Sequence, residues 1–245
     1  MKRKIFFMHI AKTGGSFINK IFENEVGGDE YIEHLESNMK RFDNQSYVSG
    51  HLYLNVWKSL SAELYDIITV FRDPFEQLRS HIEWIDHYNL TDYSGELSAL
   101  DNDTKELVYI VKNVDLTNYQ EMDHFLTNLS DRGIQYFDNC QSRYLLFDGK
   151  DVKRTTPITL RSQGTLVRRL SELKLFGITE DMKSFLQNIS DEFLINFDNV
   201  KIKEKVNTAK SIRKIPIHNS QMRFVLTKRL YLDIFLLNKV KKLLS

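Results

Sequence analysis

Apolar residues follow two alternating rhythms along this chain. Ile5 to Ile10 is a nearly continuous apolar run, with charge before it and glycine after it, of the size of a buried strand. The next segment, "SFINKIFENEV", repeats apolar residues at helical spacing and predicts a helix packed by one face. Strand, glycine turn and helix form the first unit. "QSYVSGHLYLNV" predicts a short strand and a glycine turn, and "YDIITVFRDP" a second continuous apolar run ending in charge. Runs that are continuous rather than alternating predict strands covered on both faces, as in a parallel sheet.

In "RDPFEQLRSHIEWIDHY" three signals agree on a helix start: Asp73 as N-cap, Pro74 at the first helical position and Glu76 at the third, a capping-box variant. Leu90 to Arg132 is polar with scattered apolar positions and predicts several short helices and loops. "CQSRYLLF" predicts a helix, "TLVRRLSELKLFGIT" a helix and a short strand, "EDMKSFLQNISDEF" a further helix, and "LTKRLYLDIFLLNKVKKLL" a closing amphipathic one. Strands alternating with helices predict a doubly wound α/β layer architecture with right-handed crossovers.

Composition narrows this to one domain over residues 1–245, because only 10 Gly and 3 Pro leave little chain for linkers. Net charge is +1, so no global field draws the protein to nucleic acid or to an anionic membrane. Charge is uneven locally. Asp86 to Asp131 holds ten acidic and two basic residues, whereas Lys150 to Lys174 holds seven basic and two acidic. Both are expected to be solvated faces, and the acidic segment at 86–132 is a candidate lid, substrate wall or partner surface. A single cysteine, Cys140, excludes an intrachain disulfide and a cysteine zinc cluster, and is expected to be a packing residue. The N-terminal apolar run is too short for a signal peptide, and "LYLDIFLL" is broken by Asp233, so no integral membrane segment is expected.

Chemistry concentrates at two turns. In "KTGGS", adjacent glycines before a helix allow backbone N–H groups to converge on an anion, with Lys12 adding charge and Thr13 and Ser16 adding hydroxyls. The triphosphatase pattern G-x-x-x-x-G-K-[ST] is absent, since the lysine precedes Gly14 and Gly15 and no Ser/Thr follows a lysine for magnesium. In "VFRDPFEQLRSH", Arg72 sits at a strand's carboxyl end, where open α/β sheets bind ligands. Ser80, seven residues beyond Asp73, shares a helix face with the cap, so an arginine fork and a hydroxyl can meet one phosphate.

"HIAKTGGSF" together with "TVFRDPFEQLRSH" resembles the two cofactor-binding signatures of the heparan sulfate 2-O-sulfotransferase-like carbohydrate sulfotransferases. "SGHLYLN" resembles that family's Gly-His segment, "NCQSRYL" its Asn-x-Gln-Thr-Arg-Tyr-Leu helix and "FGITEDMKSFL" its Gly-Leu-Thr-Glu segment, a similarity spanning roughly residues 4 to 185 and weakening through "KEKVNTAK". The resemblance implies a P-loop-like three-layer α/β fold with a central mostly parallel sheet flanked by helices. It also implies 3′-phosphoadenosine 5′-phosphosulfate (PAPS) as sulfuryl donor, no metal, and a carbohydrate or other hydroxyl acceptor. Lys12, Thr13, Gly14, Gly15 and Ser16 would hold the 5′-phosphosulfate, and Arg72 and Ser80 the 3′-phosphate. Ala11 stands where the family often has Pro, and Ser16 where it has Thr.

Sulfuryl transfer to a hydroxyl needs charge stabilisation on the departing phosphate and a base on the acceptor. Lys12 and His51 are the candidates, His51 by its position after Gly50 and by the resemblance. His9 is expected to be buried in the strand, and His81 and His87 to lie on the helix surface. Gln141 and Arg143, about 200° apart on a helix, are expected to divide substrate contact and bracing between them. A nucleotide kinase or triphosphatase, and a module that binds a bisphosphonucleotide or a glycan without turnover, are the alternatives. Animal relatives carry a Golgi membrane anchor, whereas this chain starts close to its first strand and reads as a cytoplasmic bacterial enzyme.

Overall fold

The first apolar run becomes the middle strand of a five-stranded sheet. In the computed structural model, which describes residues 4–37, 45–61, 65–90, 93–149, 153–197 and 213–245, β1 (Lys4–Met8) pairs with β3 (Tyr47–Gly50) on one side and β4 (Tyr65–Phe71) on the other. β2 (Tyr31–Ile32) lies outside β3 and β5 (Leu175–Ile178) outside β4, giving the order β2-β3-β1-β4-β5 with every pair parallel. The architecture is thus α/β with a central parallel sheet flanked by helices, as the apolar runs predict.

Side chains alternate across β1 and feed two cores. Ile5 and Phe7 pack with Ile68 and Val70 against α1 (Gly15–Glu25) and α10 (Met182–Phe193). Phe6 and Met8 pack on the opposite face, where α2 (Leu54–Ser61), α8 (Cys140–Leu146), α9 (Gln163–Leu170) and the second half of α11 (Ser220–Leu244) cover the sheet. Trp57 of α2 stacks on Phe6 with ring centroids 3.3 Å apart. Each buried side chain of this kind contributes about 1.5–3 kcal/mol relative to exposure.

A third core lies away from the sheet. α3 (Pro74–His87), α5 (Asn102–Lys112), α6 (Tyr119–Thr127) and α7 (Asp131–Phe137) bury Leu78, Ile82, Leu107, Val111, Met122 and Phe137 with the first half of α11. The acidic segment is therefore a packed helical layer, with the short α4 (Ser94–Ala99) at its start. Arg213 ties it down by pairing with the buried Asp86 and donating to the Val111 and Val114 carbonyls. "KEKVNTAK" lies outside the described residues, and among those described no helix is long and apolar enough to cross a membrane.

Two local features depart from the sequence reading. α2 is a helix where "HLYLNV" was expected to finish a strand and turn, because Leu54 and Trp57, three apart, both find the sheet. His81 and His87 are buried rather than on the helix surface, since α3 is enclosed by helices instead of lying against solvent.

Candidate active site

In an open parallel sheet, ligand sites form beyond the strands' carboxyl ends where the winding direction reverses. The chain leaves β1 towards β2 and β3, and leaves β4 towards β5, so the reversal falls between β1 and β4. The loops that emerge there carry Lys12 and Arg72, and neighbouring β3 ends at Gly50 and His51.

The β1–α1 loop turns at Gly14, with φ 92°, and α1 starts with no side-chain cap. Asp73, Asp101, Asn118, Ser130, Asp181 and Asn219 cap α3, α5, α6, α7, α10 and α11, whereas α4, α8 and α9, like α1, start without a side-chain cap. An uncapped helix start leaves orphan N–H groups and the positive end of the helix dipole facing outward. The loop's carbonyls are held back by side chains instead. Thr13 Oγ1 donates to Ile10 O at 2.9 Å, Gln77 Nε2 donates to Ala11 O at 3.1 Å, and Thr179 Oγ1 lies 2.5 Å from Thr13 O and 3.1 Å from Phe71 O. Gly15 is fixed by crowding, because a Cβ there would stand 2.0 Å from Cδ2 of the buried His9 ring.

Lys12 takes φ 65°, and its Nζ lies 5.7 Å from the centroid of the Trp84 ring. Burial, together with the charge of Arg72, lowers its pKa from 10.5 to about 8, against a smaller opposing effect of Glu83. Arg72 Nη1 donates to the Lys12 carbonyl at 3.0 Å, so two cationic side chains belong to one joint between the loops. Arg72 is in turn clamped through its backbone. Its N–H donates to Gln141 Oε1 at 2.9 Å and its carbonyl accepts from Gln141 Nε2 at 3.0 Å. Asp73 caps α3 by accepting from the Phe75 and Glu76 N–H groups. The reciprocal bond of the capping box comes from Glu180, which accepts the Asp73 N–H at 3.0 Å, while Glu76 pairs with Arg79.

His51 Nδ1 is 2.7 Å from the His9 carbonyl. A carbonyl only accepts, so Nδ1 carries the proton and Nε2 keeps its lone pair. Burial lowers the His51 pKa below 6.5, with Glu36 opposing, which leaves a neutral imidazole at neutral pH. The His9 and His51 rings lie 4.2 Å apart, and His9 is itself held neutral by burial.

Lys12, Thr13, Gly14, Gly15 and Arg72 therefore share one joint, and the His51 ring lies tilted against that of His9, which Gly15 also approaches. Ser16 is exposed at the start of α1, and Ser80 is half-buried two turns into α3. Gln141 and Arg143 do not divide contact from bracing: both brace. Arg143 is buried and spends its guanidinium on the Asp138 side chain and on the carbonyls of Asp138, Arg154 and Thr156. The bracing residues Gln77, Thr179 and Glu180 had no signal of their own, because an amide, a hydroxyl or a carboxylate in a helix or turn is ordinary until its distant partner is known. Cys140 is buried and its thiol is pushed up by burial, as befits packing. No protein-family model matches the chain, and no curated protein matches it.

Proposed function

We propose that this protein is a sulfotransferase that moves the sulfuryl group of PAPS to a hydroxyl of a carbohydrate, releasing adenosine 3′,5′-bisphosphate. The observation that carries this is the joint of Lys12 and Arg72 over the uncapped start of α1. Two cations are joined there: Arg72 has Glu76 Oε2 at 3.8 Å, whereas among the described residues no carboxylate lies within ion-pair distance of Lys12, which feels Glu83 only at longer range. Such an arrangement is completed by an anion.

In this reading the fold is P-loop-like, and the N–H groups from Thr13 to Ser16 receive the 5′-phosphosulfate. Arg72 and Ser80 receive the 3′-phosphate. The acceptor oxygen forms a bond to sulfur as the bond from sulfur to the bridging phosphate oxygen breaks. His51 Nε2 takes the acceptor proton, and Lys12 offsets the charge that develops on the departing phosphate. Nδ1–H donation to the His9 carbonyl holds the tautomer that this step needs.

Calorimetric titration with adenosine 3′,5′-bisphosphate and adenosine 5′-phosphate, without magnesium, tests the donor site. The bisphosphate is expected to bind more tightly, and Arg72→Ala to remove about 1.5–3 kcal/mol, roughly tenfold to a hundredfold. Equal binding of the two nucleotides sinks the proposal.

A further inference from the structure

His51 also belongs to a second cluster. One ligand atom from each of His34, Glu36 and His51 lies within 4.8 Å of those of the other two. His34 Nδ1 is 3.1 Å from Glu36 Oε1, and the other carboxylate oxygen, Oε2, accepts the His51 backbone N–H at 2.9 Å. The cluster is closely assembled: a Cβ at residue 50 would stand 2.7 Å from Glu36 Oε2, so glycine there admits the carboxylate. His51 is oriented from behind by its Nδ1 donation to the His9 carbonyl, the outer-sphere bond that metal-ligating histidines typically make.

We propose that His34, Glu36 and His51 form a binding site for a divalent first-row transition ion, with zinc the best match. Two imidazoles, one carboxylate and an open position are a ligand set that zinc takes readily. A hard ion such as magnesium prefers all-oxygen ligands and is not expected to bind. His34 and Glu36 are exposed to solvent, so an ion reaches the cluster without opening the fold. Because Nε2 is the nitrogen of His51 left for a metal, an ion bound there occupies the lone pair assigned above to the acceptor proton. Zinc therefore acts as an off-switch for transfer; this last consequence, unlike the site, rests on the function proposed above.

The test titrates the metal-free full chain with zinc, and with cobalt(II) as a visible-absorption probe, comparing wild type with His34→Ala, Glu36→Gln and the surface control His218→Ala. One ion per chain is expected. Affinity falls at least about tenfold in His34→Ala and Glu36→Gln and is unchanged in His218→Ala, while circular dichroism of each variant stays that of wild type. Absence of saturable binding, or binding that His34→Ala and Glu36→Gln leave unchanged, overturns the site. Transfer assays then read the switch: zinc is expected to inhibit wild type and to lose that effect in His34→Ala. Metal binding without any transfer activity refutes the sulfotransferase proposal and leaves the site standing, whereas transfer with no zinc binding does the reverse.

Discussion

Replacing Lys12 by methionine is expected to make the protein more stable and less able to bind its anion. The wild-type lysine is held with a pKa of about 8 instead of 10.5, and that distance corresponds to ~3 kcal/mol by which the fold disfavours the charged form. Methionine has similar reach and no charge to bury. It forfeits the contact with the Trp84 ring, worth about 0.5–1 kcal/mol, and incomplete burial trims the gain further. A net stabilisation of ~1–2 kcal/mol remains at pH 7, or about 2–8 °C in Tm for a chain of this size. The sign follows from proton binding. Between pH 8 and 10.5 the unfolded chain holds a proton on this lysine that the folded chain does not, so wild-type stability rises with pH across that window. The advantage of Lys12→Met is thus full below about pH 8 and disappears towards 10.5. Thermal melts of both proteins at pH 7 and pH 10, beside calorimetry with the bisphosphate, measure it. A variant that is less stable at pH 7, or equally stabilised at both pH values, would show that Lys12 is not a buried charge awaiting a counter-ion.

The proposed base makes a separate prediction: His51→Asn keeps the bisphosphate affinity but lowers the transfer rate by about 10²–10⁴. In wild type, kcat/KM is expected to rise through the depressed His51 pKa below 6.5 and to fall through about 8 as Lys12 loses its proton; a profile flat from pH 5 to 10 contradicts both assignments. Gln141→Ala strips Arg72 of two hydrogen bonds. A loss of about 2–4 kcal/mol and weaker bisphosphate binding should appear together, and an unchanged Tm would remove the clamp from the account. Gly15→Ala drives a methyl into the His9 ring and should lose about 1–3 kcal/mol together with nucleotide binding. His9→Ala in the same chain should restore part of the stability, and a lack of coupling in that double-mutant cycle would place the strain elsewhere.

The strands that build the sheet were legible because they are buried on both faces and read as apolar runs: Ile5 to Ile10 and "YDIITVF" need no knowledge of their partners. β2 was not, since two residues at an edge carry no period. The α3 start was legible to the residue through Asp73 and Pro74, yet its closure by Glu180 was invisible, because the carboxylate comes from 107 positions away. The same distance effect explains the candidate site. Lys12, Gly14, Gly15 and Arg72 stand in turns whose chemistry is local, whereas the roles of Gln141, His34 and Glu36 depend on what the fold carries to them. His81 and His87 were misplaced for a related reason: a helix with polar residues on every side suggests solvent, and only the third core shows that α3 is surrounded.

Asp233, the residue that interrupts the apolar run of the last helix, is buried where it accepts from the Gln141 and Ser142 N–H groups at the start of α8. Asn139 completes the joint, donating its N–H to the Arg229 carbonyl and accepting from the Leu232 N–H. Gln141 then sets Arg72, and Arg72 meets Lys12. On the ribosome this means that the β1–α1 loop, although its glycines are made long before Asp233, stays without these supports until residue 233 has left the exit tunnel. A nascent chain halted earlier has the loop but not its bracing, so the geometry of the Lys12–Arg72 joint is a property of chains that have been carried past residue 233.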